Sequence, residues 1–377
     1  MPSPKLTSVK SRPSDARRGR HTLDPDGYAY DDLQPMVQTC LEAGVAVLVR
    51  GHPGVGKSTL AAEIAVNMRL PLEDIRLAQR DPAEIGGVYF PSADRSELSL
   101  LPPPWVRRAC REPTLIFLDE INAAVTRLHQ AAAYQIVLER RVGPFRFHPG
   151  TVVLAAGNLE EDRAIVTPLS TALANRFAHF TLRADIATWL RWAERRDVAP
   201  QIIAYMRANE ASGVAVLYNN DGDDAFATPR SWAMASEVLS RGEGGASRRL
   251  VASCIGLSAA QRFFSFLRTY ELFHPEHVIE RGAAMDFTKG ACVEASFAIA
   301  AVTALGHYLV QNEARWQPAW AQHLVQFLRS PGLDVEYAFL LLRDLHARTD
   351  ITERLKVDAD YRRLAGEIVS MHATMLS

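Results

Sequence analysis

The chain has 377 residues, long enough for two or three domains and for a sizeable buried core. Lys and Arg number 42 against 43 Asp and Glu, so the whole-chain field carries no electrostatic footprint for nucleic acid or an anionic membrane, leaving only local patches. Cys40, Cys110, Cys254 and Cys292 stand far apart with no CxxC pair, which argues against a zinc site or a compact disulfide framework and fits a reducing, cytoplasmic setting.

Residues 1–24 are rich in Ser, Pro, Lys and Arg, have almost nothing to bury and predict a disordered basic arm. They contain no apolar core of the kind a secretory signal needs. From Tyr30 the pattern reads as a short helix, then the apolar run Val45 to Val49, a glycine-rich turn and a helix over Ser58 to Arg69, which is a strand, phosphate loop and helix unit. Gly86 to Leu101 has two strand-like pieces around a polar turn and predicts a hairpin inserted between the second and third core strands.

Continuous apolar runs follow at Thr114 to Leu118, Thr151 to Ala155 and Ala178 to Leu182, with a helical segment over Ala123 to Arg141. Such runs indicate a parallel sheet covered on both faces. A second hairpin is expected within Val142 to Val152. Beyond Leu182 helical periodicity dominates, over Ile186 to Arg195, Pro200 to Asn209, Ser231 to Ser240, Arg248 to Leu272, Val293 to Gln311 and Val335 to Ala347. The Ala-rich stretch Ser296 to Val310 is shorter than the about 20 residues a bilayer requires, so it predicts a buried helix and no membrane insertion. Asn219 to Asp224 is acidic but lacks calcium-loop spacing. His274-Pro275-Glu276-His277 carries a proline and makes a poor metal motif.

The strongest chemical signal is Gly51-His52-Pro53-Gly54-Val55-Gly56-Lys57-Ser58, followed by Thr59, between an expected strand and helix. Glycines let consecutive backbone N–H groups face phosphate oxygens, the helix N-terminus adds its positive end, Lys57 reaches the terminal phosphates and Ser58 offers a hydroxyl to magnesium. The run Leu115 to Glu120 then delivers Asp119 and Glu120 at a strand's C-terminal end, the edge where open α/β sheets bind ligands. Asp119 is placed for magnesium and Glu120 for the attacking water, because phosphoryl transfer is catalysed by positioning and charge stabilisation.

Two weaker signals follow. Asn158 ends the apolar run from Thr151, where an amide could hold a phosphate or a water, or equally form a turn. Arg176 stands just before the last core strand, and a planar cation suits charge developing on phosphate oxygens.

In this order the four signals resemble the AAA+ ATPases. The resemblance implies that Asn158 is the sensor 1 residue and that Arg176 is a finger acting on a neighbouring subunit's nucleotide. Ala227-Thr228-Pro229-Arg230-Ser231-Trp232 is similar to the start of the sensor 2 helix, which assigns Arg230 to the γ phosphate. On spacing alone it is a helix-opening Thr-Pro with an exposed arginine. The hairpin before Pro102-Pro103-Pro104-Trp105 and the one before Asn158 resemble the helix-2-insert group, which holds the MoxR-type, dynein-related and magnesium-chelatase ATPases. Two departures mark a divergent branch: Ala123 follows Asp-Glu-Ile-Asn where arginine is usual, and the Asn158 strand ends in Ala-Ala-Gly-Asn.

The implied fold is α/β: an AAA+ P-loop parallel-sheet core with inserted β-hairpins (residues 25–183), an α-helical lid (184–270) and a helical C-terminal extension (271–377). The implied activity is ATP hydrolysis with Mg2+ in a ring, expected to be a hexamer. Its expected role is remodelling a protein partner, with a von Willebrand factor A domain protein as the expected kind. The alternative is a nucleic-acid-acting motor of the McrB type, disfavoured by the neutral charge. A non-hydrolysing nucleotide switch is disfavoured by Glu120, Asn158 and Arg176.

Overall fold

The computed structural model describes residues 27–92, 95–123, 126–159, 168–212, 216–220, 224–242 and 244–375. The basic arm over residues 1–24 lies outside the described residues. The first half runs α1 (Tyr30–Glu42), β1 (Val47–Gly51), α2 (Lys57–Asn67), β2 (Leu72–Arg76), α3 (Pro82–Gly86), β3 (Val88–Pro91), β4 (Leu98–Leu101), α4 (Pro104–Arg111), β5 (Leu115–Asp119), α5 (Arg127–Tyr134), β6 (Arg141–Val142), β7 (Phe145–Arg146), β8 (Val152–Gly157), α6 (Thr171–Ala174) and β9 (Ala178–Leu182). Five of these strands form one parallel sheet in the order β2-β5-β8-β1-β9. This is the parallel-sheet core expected from the sequence. Its order sets the ends of β5 and β8 beside the end of β1, although about a hundred residues separate β1 from β8 in sequence.

Strand alternation covers both faces of the sheet. Val47, Val49, Leu115, Phe117, Val152 and Leu154 turn toward α1 and α2, where Leu33, Val37, Leu60 and Ile64 complete one layer. Leu48, Ile116, Leu118 and Val153 turn the other way, onto Trp105 and Val106 of α4 and Ile136 and Val137. The first inserted hairpin is β3–β4, antiparallel with Val88 opposite Leu101.

Three expectations are corrected. The helix read over Ala123 to Arg141 begins only at Arg127, where Thr126 and His129 form a reciprocal cap. It opens into one π-helical turn over Gln135–Glu139 and stops at Arg140, whose φ of 51° is left-handed. The second hairpin is shorter than expected, two residues per strand in β6 and β7. The helix read over Arg248 to Leu272 is two helices, because Gly256 adopts a φ of +82° and a Cβ there would lie 2.4 Å from the Ala225 carbonyl oxygen.

The second half is helical: α7 (Ile186–Glu194), α8 (Pro200–Ser212), α9 (Pro229–Arg241), α10 (Gly244–Ile255), α11 (Leu257–Tyr270), α12 (Pro275–Ile279), α13 (Ala295–Gln311), α14 (Ala319–Leu328), α15 (Val335–His346), α16 (Thr349–Leu355) and α17 (Ala359–Met375). Trp189, Tyr205, Trp232 and Phe263 centre one apolar cluster. Phe297, Trp320, Phe327 and Tyr361 centre another. Helix α13, which holds the Ala-rich stretch, is buried along most of its length and lies against α8, α11 and α15. No helix among the described residues is long and apolar enough to cross a membrane.

Candidate active site

The loop between β1 and α2 is shaped by its glycines. Gly54 and Gly56 have φ values of +76° and +104°, a region that favours residues without a side chain. Gly54 also has no room for one: a Cβ there would lie 2.9 Å from Thr228 Oγ1 and 3.3 Å from Arg230 Cβ. A Cβ on Gly51 would lie 2.5 Å from the Leu182 carbonyl oxygen. Val55 is buried while Pro53 is half-exposed and Thr59 exposed, so the loop is pinned through Val55.

Lys57 opens α2 and folds back over the loop. Its Nζ donates to the carbonyl oxygens of Gly51 at 2.6 Å and His52 at 2.9 Å, and to Asn158 Oδ1 at 3.0 Å. Ser58 Oγ donates to Asp119 Oδ2 at 3.1 Å. The phosphate loop, the end of β5 and the end of β8 are thus joined side chain to side chain, as the sheet order requires. The two oxygens of Ser58 and Asp119 are hard donors of the type magnesium prefers, so the residues present fit that ion.

Glu120 follows β5 with a φ of 54°. A non-glycine residue held there is strained by about 1 kcal/mol or more. Its backbone N–H donates to Asp119 Oδ1 at 2.9 Å, and its side chain is half-exposed. The turn brings in Asn122, which sequence reasoning did not assign to the site. Buried to 6% exposure, Asn122 donates from Nδ2 to the Asn158 carbonyl at 2.8 Å and accepts from the Asn158 N–H at 3.0 Å.

The two arginines fall in different places. Arg230 sits in the first turn of α9, whose N-cap Thr228 and Ser231 bond each other reciprocally, and that helix start packs directly on Gly54. A second contact from the helical half was not anticipated: the His52 ring stacks on Tyr218, centroids 4.2 Å apart and planes at 16°. Arg176 is exposed and precedes β9. Because β1 and β9 are parallel with Val47 opposite Ala178 and Gly51 opposite Leu182, Arg176 lies at the other edge of the sheet from the loop. At about 3.3 Å per residue this is a separation of roughly 13 Å or more along the strands. The fold does not bring Arg176 into its own chain's site.

Residues 46–177 match the AAA domain, dynein-related subfamily. That stretch contains the phosphate loop, Asp119, Glu120, Asn158 and Arg176; Arg230 lies beyond it. No curated protein matches the chain. Solved structures with a similar trace include a Cytophaga hutchinsonii protein assigned as an ATPase, at 18% identity and a TM-score of 0.34 over 46% of this chain and 52% of that one. NtrX from Brucella abortus aligns at 13% identity and 0.38 over 87% and 67%. A Thermotoga maritima RuvB variant aligns at 14% and 0.34 over 80% and 89%. The chain thus spans about half the length of the Cytophaga protein. These weak likenesses add nothing to the domain match.

Proposed function

We propose that this chain is a MoxR-like AAA+ ATPase that couples Mg-ATP hydrolysis, in a hexameric ring, to remodelling of a protein partner such as a von Willebrand factor A domain protein. Residues 184–270 would be its lid and 271–377 a helical extension.

In this reading the backbone N–H groups of Gly54 to Lys57 and the Lys57 ammonium bind the phosphates. Ser58 and Asp119 hold magnesium, which when bound neutralises phosphate charge. Glu120 orients the attacking water and takes its proton. The water oxygen bonds to the γ phosphorus as the bond to the β–γ bridging oxygen breaks, giving ADP and phosphate. Asn158 holds the γ phosphate side of the site, and Arg230 approaches it from the lid.

The observation that carries the ring is the position of Arg176. An exposed guanidinium at the far edge of the sheet has no use in its own site, but it is free to complete a neighbour's. The test is complementation between two variants. Arg176→Ala keeps its own site but lacks the finger; Glu120→Gln keeps the finger but cannot activate water. Each alone should release little phosphate, and mixing them should restore turnover at Arg176→Ala sites supplied by Glu120→Gln neighbours. No gain on mixing, with an active wild type as control, would sink the ring reading.

A further inference from the structure

We infer that Asn122 is a positioning residue for hydrolysis, locking Asn158 in place through a two-point amide contact; this rests on the ATPase reading above. The pairing of β5 with β8 does not stop at the strand ends. Ile121 N–H donates to the Ala156 carbonyl at 2.9 Å, and the Asn122 side chain then takes both the N–H and the C=O of Asn158. An asparagine amide offers one donor group and one acceptor together, so it substitutes here for the next residue of a neighbouring strand. The left-handed turn at Glu120 swings Asn122 under β8, closed by a bond from Ala123 N–H to the Glu120 carbonyl at 2.9 Å.

Gly157 completes the lock. A Cβ at that position would lie 2.7 Å from Asn122 Oδ1 and 3.0 Å from its Cγ, so the amide can reach the Asn158 backbone only across a residue with no side chain. The consequence runs outward. Asn158 Oδ1 accepts from Lys57 Nζ, and Asn122 shares its short turn with Glu120. One buried side chain therefore sets the spacing between the group that activates water and the two that face the phosphates. Hydrolysis is sensitive to such spacing, since a shift of about 1 Å in a reacting group can cost roughly 100-fold.

The test measures steady-state phosphate release and Mg-ADP affinity for wild type, Asn122→Ala, the isosteric Asn122→Asp and Gly157→Ala. Aspartate has no donor for the Asn158 carbonyl, and an alanine at position 157 displaces the amide. All three should lose kcat by about 30- to 100-fold while KM and the Mg-ADP Kd stay within about threefold. Adding Asn158→Ala to Asn122→Ala should cost little more, because the two act as a unit. Should Asn122→Ala melt too low to assay, the other two variants carry the test. An active wild type with Asn122→Asp and Gly157→Ala turning over at its rate would overturn the inference. A wild type that binds nucleotide but releases no phosphate would instead overturn the ATPase reading, and this inference with it.

Discussion

The charges at the phosphate loop and those where α7, α8, α13 and α15 meet are built on opposite plans. At the phosphate loop, Lys57 donates to two backbone carbonyls and an amide oxygen, and Asp119 accepts from the Ser58 hydroxyl and a backbone N–H. Where α7, α8, α13 and α15 meet, the Arg207 side chain, 5% exposed, bonds Glu194 and Asp344 at 2.7 Å each and Thr303 Oγ1 at 3.1 Å. Its Nε has no hydrogen-bond partner. At the first cluster, carbonyl, amide and hydroxyl groups lie within hydrogen-bond reach of Lys57 and Asp119, and a ligand can replace them. The second matches a buried cation to two carboxylates and leaves little for a ligand to gain.

Mutations should separate the two plans. The largest effect is expected from Lys57→Ala, which should lower phosphate release by about 100- to 1000-fold, as removal of one positioned charge donor does. The melting temperature should move by no more than about 2 °C, a fraction of a kcal/mol for a chain of this size. A large drop in melting temperature would show that Lys57 is structural after all.

Arg207→Ala should behave in reverse. It takes the buried cation from Glu194 and Asp344, leaving them the exposed Arg343 at 3.6 and 3.3 Å, beside a cavity of about 1680 Å³ that borders α7, α8, α13 and α15. Breaking a buried pair costs about 3–5 kcal/mol. Glu194 and Asp344 keep 32% and 23% exposure, so water offsets part of that and about 2–3 kcal/mol is expected. Denaturant midpoints should fall while the Kd for Mg-ADP holds. Adding Glu194→Gln and Asp344→Asn should recover part of the loss, since burial already pushes the Asp344 carboxyl up against the pull of Arg207.

The smallest effect concerns pH. Burial holds the His307 imidazole below its usual range, with Asp197 pulling the other way, and burial and Lys356 do the same to His346. The unfolded chain therefore binds protons that the folded one refuses. Stability from these two residues is complete above the unfolded value of about 6.5 and is lost as pH falls below it. Melting scans from pH 7.5 to 5.5 should show a decline that His307→Gln reduces. A profile unchanged by the substitution would remove His307 as a source.

Much of the core was legible because its signals are local. Gly51 to Ser58, Asp119–Glu120 and the apolar runs of β1, β5 and β8 each declare themselves within about eight residues. The edge strand β2 was not visible as a strand, because only Ile75 of its five residues is buried and its charged neighbours break the apolar pattern. Gly256 was read as a helix interior, since nothing within α10 or α11 reveals that the Ala225 carbonyl would block a side chain there. Helices α14 and α17 escaped a periodicity reading that found α13 and α15, although all four bury apolar faces.

By itself the sequence determined which residue types can meet phosphate and magnesium, since loop glycines, a helix N-terminus and a strand-end carboxylate pair act through short-range geometry. Only the tertiary structure decided which of them meet. The strand order put Asn158 on Lys57 across 101 positions, the β1–β9 register put Arg176 at the far edge, and helix packing put Thr303 on Arg207 across 96. Hydrogen bonds and ion pairs act over about 3 Å and in fixed directions. Their partners are therefore chosen by register and packing, which no local pattern of residues encodes.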